Sequence, residues 1–182
     1  MSVRIHLCQT PPDQSTHAQI EGLLDQYYSL IVQRMGDLGV KIDPAAPRSA
    51  RAEFWANIAD YLPPTGCLAL AEGAAGRILG CGMLKTLSPG TGELKRLFVS
   101  QAARGTGAGR QLVKAREAEA RRIGLTRLVA DTLISNIEMQ QLYPKLGFTQ
   151  IAGPIETTTY LDQPMLRPHL LYFVKDLNAP SP

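Results

Sequence analysis

Three glycines fall within five residues, at Gly105, Gly107 and Gly109, between an apolar run ending at Val99 and an amphipathic run that starts near Arg110. A strand, a glycine-rich loop and a helix N-terminus in that order form an anion-binding arrangement. Unpaired N–H groups leave the first helical turn, and the helix dipole favours negative charge there. Glycine takes positive φ without strain and lets a phosphate approach the backbone closely. Arg104 and Arg110 flank the loop and can add charge-assisted hydrogen bonds to a phosphate. Two familiar phosphate loops fail at position 110. The P-loop needs Gly-Lys-Ser/Thr there and the dinucleotide fingerprint needs Gly, but residue 110 is arginine.

The surrounding pattern narrows the fold. Residues 3–8 read as a first strand that stops at Pro11-Pro12. Thr16 and Gln19 fit a capping box, and Ile20, Leu23, Leu24, Tyr27, Ile31, Met35 and Leu38 then follow helical spacing. A second helix is predicted over 49–62, with Phe54, Trp55, Ile58 and Leu62 on one face, ended by Pro63-Pro64. Residues 67–71, 77–86 and 93–99 read as an antiparallel meander. Gly80 and Gly82 inside its second strand suggest a bulge or a close backbone approach. The helix after the glycine loop is predicted to reach Ile123, with Leu112, Val113, Ala120 and Ile123 as its apolar stripe. Arg116 interrupts that stripe and is expected to pack its stem and keep its head in water. Strands follow over 125–133 and through Ile151, separated by a short helix capped at Ser135 or Asn136. A Thr- and Pro-rich loop over 153–168 leads to a last strand at 169–175, and residues 179–182 read as a flexible tail.

A third phosphate-loop pattern does fit. Arg104-Gly105-Thr106-Gly107-Ala108-Gly109 matches Arg/Gln-x-x-Gly-x-Gly/Ala, which resembles the acyl-CoA-binding loop of the GNAT (Gcn5-related N-acetyltransferase) superfamily. The run Glu93-Leu94-Lys95-Arg96-Leu97-Phe98-Val99 resembles the family's fourth strand. Asn136, then Tyr143 and Leu146-Gly147-Phe148, resemble the helix and strand that follow. Three segments in register carry more weight than the glycine pattern alone. Two positions depart from the family: Gln101 stands where proline is common, and Pro144 directly follows Tyr143. Proline disfavours helical backbone at the residue before it, so the Tyr143 backbone is expected to be displaced.

The resemblance implies an α/β fold, a mixed twisted sheet of six to seven strands flanked by helices and splayed at the acyl-CoA site. It implies a single domain over 1–178 and direct transfer of an acetyl group from acetyl-CoA, as cosubstrate, to a primary amine of a small molecule. The alternatives are a protein or peptide N-acetyltransferase, a longer acyl donor, or a catalytically weak acyl-CoA sensor. Under the resemblance the backbone of Phe98 and Val99 pairs with the pantetheine arm. The N–H groups of Arg104, Gly105, Thr106, Gly107, Ala108, Gly109 and Arg110 hold the pyrophosphate, and Asn136 bonds the cofactor arm. Tyr143 is implied as the general acid for the leaving thiolate and as a cofactor contact. Glu93 is the candidate base that takes a proton from the incoming amine, with Asp131 as the alternative. The first two helices and the loop between them shape the acceptor side, so Tyr27 or Tyr28 is expected to face it.

Composition supports this and little else. A chain of 182 residues with 45% hydrophobic and 19% charged residues is an ordinary globular length and mixture. A net charge of +3 is too small to argue for nucleic acid or an anionic membrane as partner. No run of 18 apolar residues occurs, and Met1 to His6 lack the apolar core of a signal peptide. Cys8, Cys67 and Cys81 are odd in number, which suggests reduced thiols and a cytoplasmic protein. Monomer and homodimer both stay open, since an exposed edge strand would allow dimers. His6, His17 and His169 are far apart in sequence, so no metal site is expected.

Overall fold

A computed structural model describes residues 3–179. The first strand, β1 (Arg4–Leu7), leads into α1 (Gln14–Asp37). Asp13, not Thr16, caps that helix: its carboxylate accepts the Thr16 N–H at 2.7 Å. Gln19 is drawn away from the expected capping box because its side-chain oxygen accepts the Ile78 N–H at 2.9 Å, which ties α1 to the sheet. The second helix, α2 (Ala46–Ala56), begins earlier than its apolar pattern suggests because Pro47 sits in its first turn, where a missing N–H costs nothing. Its expected last turn is a separate 3₁₀ turn over Ile58–Tyr61.

The meander follows as β2 (Gly66–Glu72), β3 (Ile78–Ser88) and β4 (Thr91–Val99). β2 is buried on both faces, as a strand flanked by helices must be. Leu68 and Leu70 pack with Ile20, Leu24 and Phe54 of α1 and α2. Ala69 and Ala71, on the other face, pack with Ala108 and Leu112 of α3 (Ala108–Arg122). The remaining elements are β5 (Arg127–Leu133), α4 (Ile137–Leu142), β6 (Thr149–Ile151), α5 (Thr158–Asp162) and β7 (Leu170–Asp176). The stretch over 153–168 is therefore not a bare loop; it carries α5 and the start of a 3₁₀ turn over Pro164–His169. The tail expected at 179–182 lies, from 180 onward, outside the described residues. No helix among the described residues is long and apolar enough to cross a membrane.

The seven strands form one mixed sheet in the order β1-β2-β3-β4-β5-β7-β6. Only β4 and β5 are parallel, and they pair only from Thr91 to Glu93 against Arg127 to Val129. Beyond Glu93 the two strands part. The sheet is therefore splayed in its middle, with β4 turning one edge toward a gap.

A bulge in β4 shapes that edge. Cys81 faces Phe98 and Met83 faces Lys95, so Gly82 alone stands opposite both Arg96 and Leu97. Gly82 is needed for space: a Cβ there would lie 2.8 Å from Arg116 Cζ. Arg116 does not reach water. Its side chain is fully buried, and its guanidinium donates to the carbonyls of Leu112 and Met83 at 3.0 Å and of Lys95 at 3.3 Å. Carbonyls on both strands beside the bulge give it partners that the helical pattern of α3 does not reveal.

Candidate active site

The gap between β4 and β5 opens into a cavity. Its floor is Leu94, Lys95, Arg96 and Leu97 of β4 and Asp131, Thr132 and Leu133 of β5. Asn136, Met139 and Tyr143 close one side. Tyr27, Tyr28 and Ile31 of α1, with Ala46, Pro47 and Ala50 of α2, close the other. Thr158, Thr159 and Asp162 of α5 line it as well. Both Tyr27 and Tyr28 thus face the side on which one of them was expected.

Tyr143 stays in helical backbone, at φ −58° and ψ −48°, despite Pro144. The α-helix ends at Leu142, and Pro144 opens a new 3₁₀ turn at the position where an N–H has no partner to lose. The Tyr143 ring is buried between Phe148 and Phe173, each with its centroid 5.0 Å away. Burial pushes its hydroxyl up to about 12, against the pull of the Arg116 charge, with Asp131 and Glu93 adding to the rise. The phenol is therefore fully protonated near neutral pH.

The two candidate carboxylates sit in different surroundings. Glu93 is 1% exposed and does not line the cavity. Its oxygens accept Lys95 Nζ at 3.1 Å, the Thr158 N–H at 3.2 Å and the Thr158 hydroxyl. It holds the start of α5 in place, and both its oxygens are engaged by protein donors. Asp131 does line the cavity, and it accepts a hydrogen bond from the Thr157 hydroxyl. Burial raises its carboxyl above the usual range, although Thr157 and the Lys95 charge oppose that rise.

The glycine loop lies where β4 runs out. Gly105 and Gly107 have φ of +77° and +83°, which only glycine adopts without strain, and Gly107 caps α3 with no side-chain hydrogen bond. A Cβ at Gly109 would come within 4.0 Å of both Val99 and Leu142, so the first turn of α3 sits between the end of β4 and α4. Arg104 and Arg110 are exposed, and no carboxylate among the described residues lies within ion-pair distance of either. Asn136 caps α4 by accepting the Met139 N–H at 3.4 Å and also lines the cavity. Phe98 is buried against Tyr27, while Val99 is half-buried beside the loop. Neither Phe98, Val99 nor residues 104–110 line the cavity itself; they continue the same strand edge away from it. Among the described residues no group of three or more His, Cys, Asp or Glu is placed to hold a metal ion.

Arg96 was not singled out by its sequence context, yet it is the most unusual residue in the cavity wall. It has φ +48° inside a strand, and its Nε and Nη1 donate to the hydroxyls of Tyr28 and Tyr61 at 2.8 and 3.0 Å.

Comparison with known proteins agrees with this geometry. The model of the acetyltransferase (GNAT) family matches residues 28–148. An IAA acetyltransferase from Azospirillum brasilense is 34% identical over 97 residues, which covers 50% of this chain and 63% of that protein. A GNAT-family acetyltransferase from Staphylococcus aureus Mu50 superimposes with a TM-score of 0.70 at 19% identity, covering 96% of this chain and 100% of that one. N-acetylglutamate synthase from Neisseria gonorrhoeae, solved with coenzyme A and N-acetylglutamate, superimposes with a TM-score of 0.65 at 20% identity. It covers 98% of this chain and 36% of that one. At these identities the two structures speak for the fold.

Proposed function

The chain belongs to the acetyltransferase (GNAT) family, and we propose that it transfers an acetyl group from acetyl-CoA to a primary amine of a small molecule, with both substrates bound at once. The parting of β4 from β5 beyond Glu93 carries this reading. It leaves a strand edge free and sets one end of that edge beside a glycine loop, the other beside a cavity with Tyr143 and Asp131 in its wall.

The residues present fit acetyl-CoA. Positive φ at Gly105 and Gly107 leaves a concave backbone at the α3 N-terminus, and a Cβ built on Gly105 would meet no protein atom within 4 Å. The N–H groups of residues 105–110, with Arg104 and Arg110, would hold the pyrophosphate. The backbone of Phe98 and Val99 would pair with the pantetheine arm, and the Asn136 amide would bond it. When bound, acetyl-CoA supplies an activated acyl carbon and a thiol leaving group.

The chain's own part is to manage two protons. An alkylammonium has a pKa near 10.4, so reaching the free amine at neutral pH costs roughly 4–5 kcal/mol unless a base lessens it. Asp131 is the better placed base, because it lines the cavity and Glu93 does not, and burial raises its carboxyl above its ordinary value. Tyr143 steadies the departing sulfur. Moving its proton fully from a phenol at about 12 to a thiolate whose acid lies near 8.5 would be uphill by about 5 kcal/mol. Its hydroxyl would therefore donate a hydrogen bond as charge gathers on sulfur. The ammonium sheds two protons on becoming an amide; both would leave by way of Asp131, one passing to solvent and one, through solvent, to the thiolate. We therefore read Tyr143, the general acid implied by the resemblance, as a hydrogen-bond donor to sulfur.

Closure of the cavity by α1, α2 and α5 supports a small acceptor over a protein chain. Three free, buried cysteines support a cytoplasmic setting. Thiol release from acetyl-CoA, measured against amines, amino acids, polyamines, aminoglycosides and peptides, tests the proposal. At least one small amine should raise release well above background hydrolysis. Coenzyme A binding with no release for any of them would make the protein a sensor, and release with peptides alone would make it a protein acetyltransferase.

A further inference from the structure

Arg96 is a cation with no anion to answer it. No Asp or Glu among the described residues lies within 4 Å of its guanidinium. Its two hydrogen-bonded partners are neutral phenols, Tyr28 and Tyr61, and the rings of Phe54 and Tyr61 lie 5.4 and 5.7 Å from its central carbon. A partly buried charge held by neutral groups is costly in the free protein. The backbone adds strain at the same point, with φ +48° in a long-chain residue at the bulge. Three side chains, Tyr28, Tyr61 and Phe54, and an unfavourable backbone thus hold one guanidinium in place.

Arg96 is also part of the cavity wall. Two of the five N–H groups of an arginine are used by the phenols, and Nη2 has no partner among the described residues. That nitrogen is not fully buried, and Arg96 lines the cavity. Arg116 is the useful contrast. It too lacks a carboxylate, but its spare Nη2 is fully buried, where no ligand can reach it. Lys95, the other cation in the wall, is already neutralised by Glu93 at 3.1 Å.

Resting on the proposed acetyl transfer, we infer that the acceptor is an amino acid, and that Arg96 binds its carboxylate. The remaining N–H groups of a planar guanidinium suit a planar, two-oxygen anion. Across the same cavity Asp131 offers a carboxylate to the ammonium end of such a zwitterion.

The test compares acetyl transfer to matched pairs: L-phenylalanine with phenethylamine, L-lysine with cadaverine, and each amino acid with its methyl ester. In the wild type the free carboxylate member of the accepted pair should have kcat/KM about 10- to 100-fold higher, the range expected for a charge-assisted hydrogen bond. In Arg96→Gln that preference should collapse toward unity, mostly through a higher acceptor KM, while coenzyme A still raises the melting temperature. Equal or better transfer to the decarboxylated or esterified member by the wild type overturns the inference and leaves acetyl transfer standing. That comparison decides the matter even if Arg96→Gln fails to fold. An undiminished preference in a folded Arg96→Gln overturns it too. Coenzyme A binding with transfer to no amine at all removes the parent reading and this inference together.

Discussion

Glu93 and Asp131 are two acids on adjacent strands with different surroundings, one tied to Lys95 and Thr158, the other in the cavity wall. Glu93 opens the motif that resembles the family's fourth strand, and sequence alone nominates it as the base. What closes it off is Thr158, a residue 65 positions away, which no local pattern connects to it. Substitution should separate the two. For Asp131 the folded pKa is raised above the unfolded value. Folding therefore binds a proton more tightly, and stability is lost as pH rises from the ordinary carboxylate value of 3.8 through the folded one. Above the folded value the penalty is fully present, so at high pH Asp131→Asn should raise the melting temperature, while lowering kcat by about 10²-fold or more. A fall in both would mean that Asp131 is merely structural. Glu93→Gln should do the reverse, destabilising first by weakening the Lys95 pair. Tyr143→Phe should lower kcat by about 10²-fold, as loss of a donor to developing charge does, with little change in acetyl-CoA affinity. Wild-type turnover from pH 7 to 9 in that variant would assign the sulfur's partner elsewhere.

Elements were legible where a residue's surroundings follow from its near neighbours. The period of α1, the apolar runs of β2 to β4 between their turns and the glycine loop all announce themselves, because each is a pattern among near neighbours. α5 does not. Its five residues carry no apolar period, and it exists because the Thr157 hydroxyl meets Asp131 and caps the Tyr160 N–H while Thr158 meets Glu93. Arg116 and Arg96 were hidden for the same reason, since the bulge that gives both their places is a property of two strands together. Gly82 did signal that bulge, and it can be tested. Gly82→Ala puts a methyl 2.8 Å from Arg116 Cζ and should destabilise by about 1–3 kcal/mol, the usual cost of overpacking. The loop has its own test. Gly107→Glu combines a φ of +83° with a negative charge at the proposed pyrophosphate site. It should abolish the thermal stabilisation conferred by coenzyme A, and unchanged stabilisation would remove the loop from the site.

At the scale of the molecule, the splay that makes room for a ligand also weakens the joint between the two halves of the sheet. β4 and β5 share only the short pairing from Thr91 to Glu93. α3 makes up the difference: it packs on β2, β3 and β4, and its Glu117 reaches across to Lys175 of β7 at 2.8 Å. Lys175 also donates to the Leu146 carbonyl at 2.7 Å, in the turn that follows Tyr143. This buried pair thus links the cofactor helix, the far half of the sheet and the turn beside the proposed thiolate partner. Burial alone would raise Glu117, but Lys175 and Arg121 outweigh it and leave the carboxyl below its ordinary value of 4.5. A carboxyl lowered on folding contributes stability that is complete above the unfolded pKa and is lost as pH falls through the folded one. Glu117→Gln should therefore cost about 3–5 kcal/mol at pH 7, because it strands a buried ammonium. The gap between wild type and variant in urea unfolding should narrow as pH drops from 5 to 3. A gap that stays constant over that range would show that Glu117 acts by packing, and that the two halves are not joined by its charge.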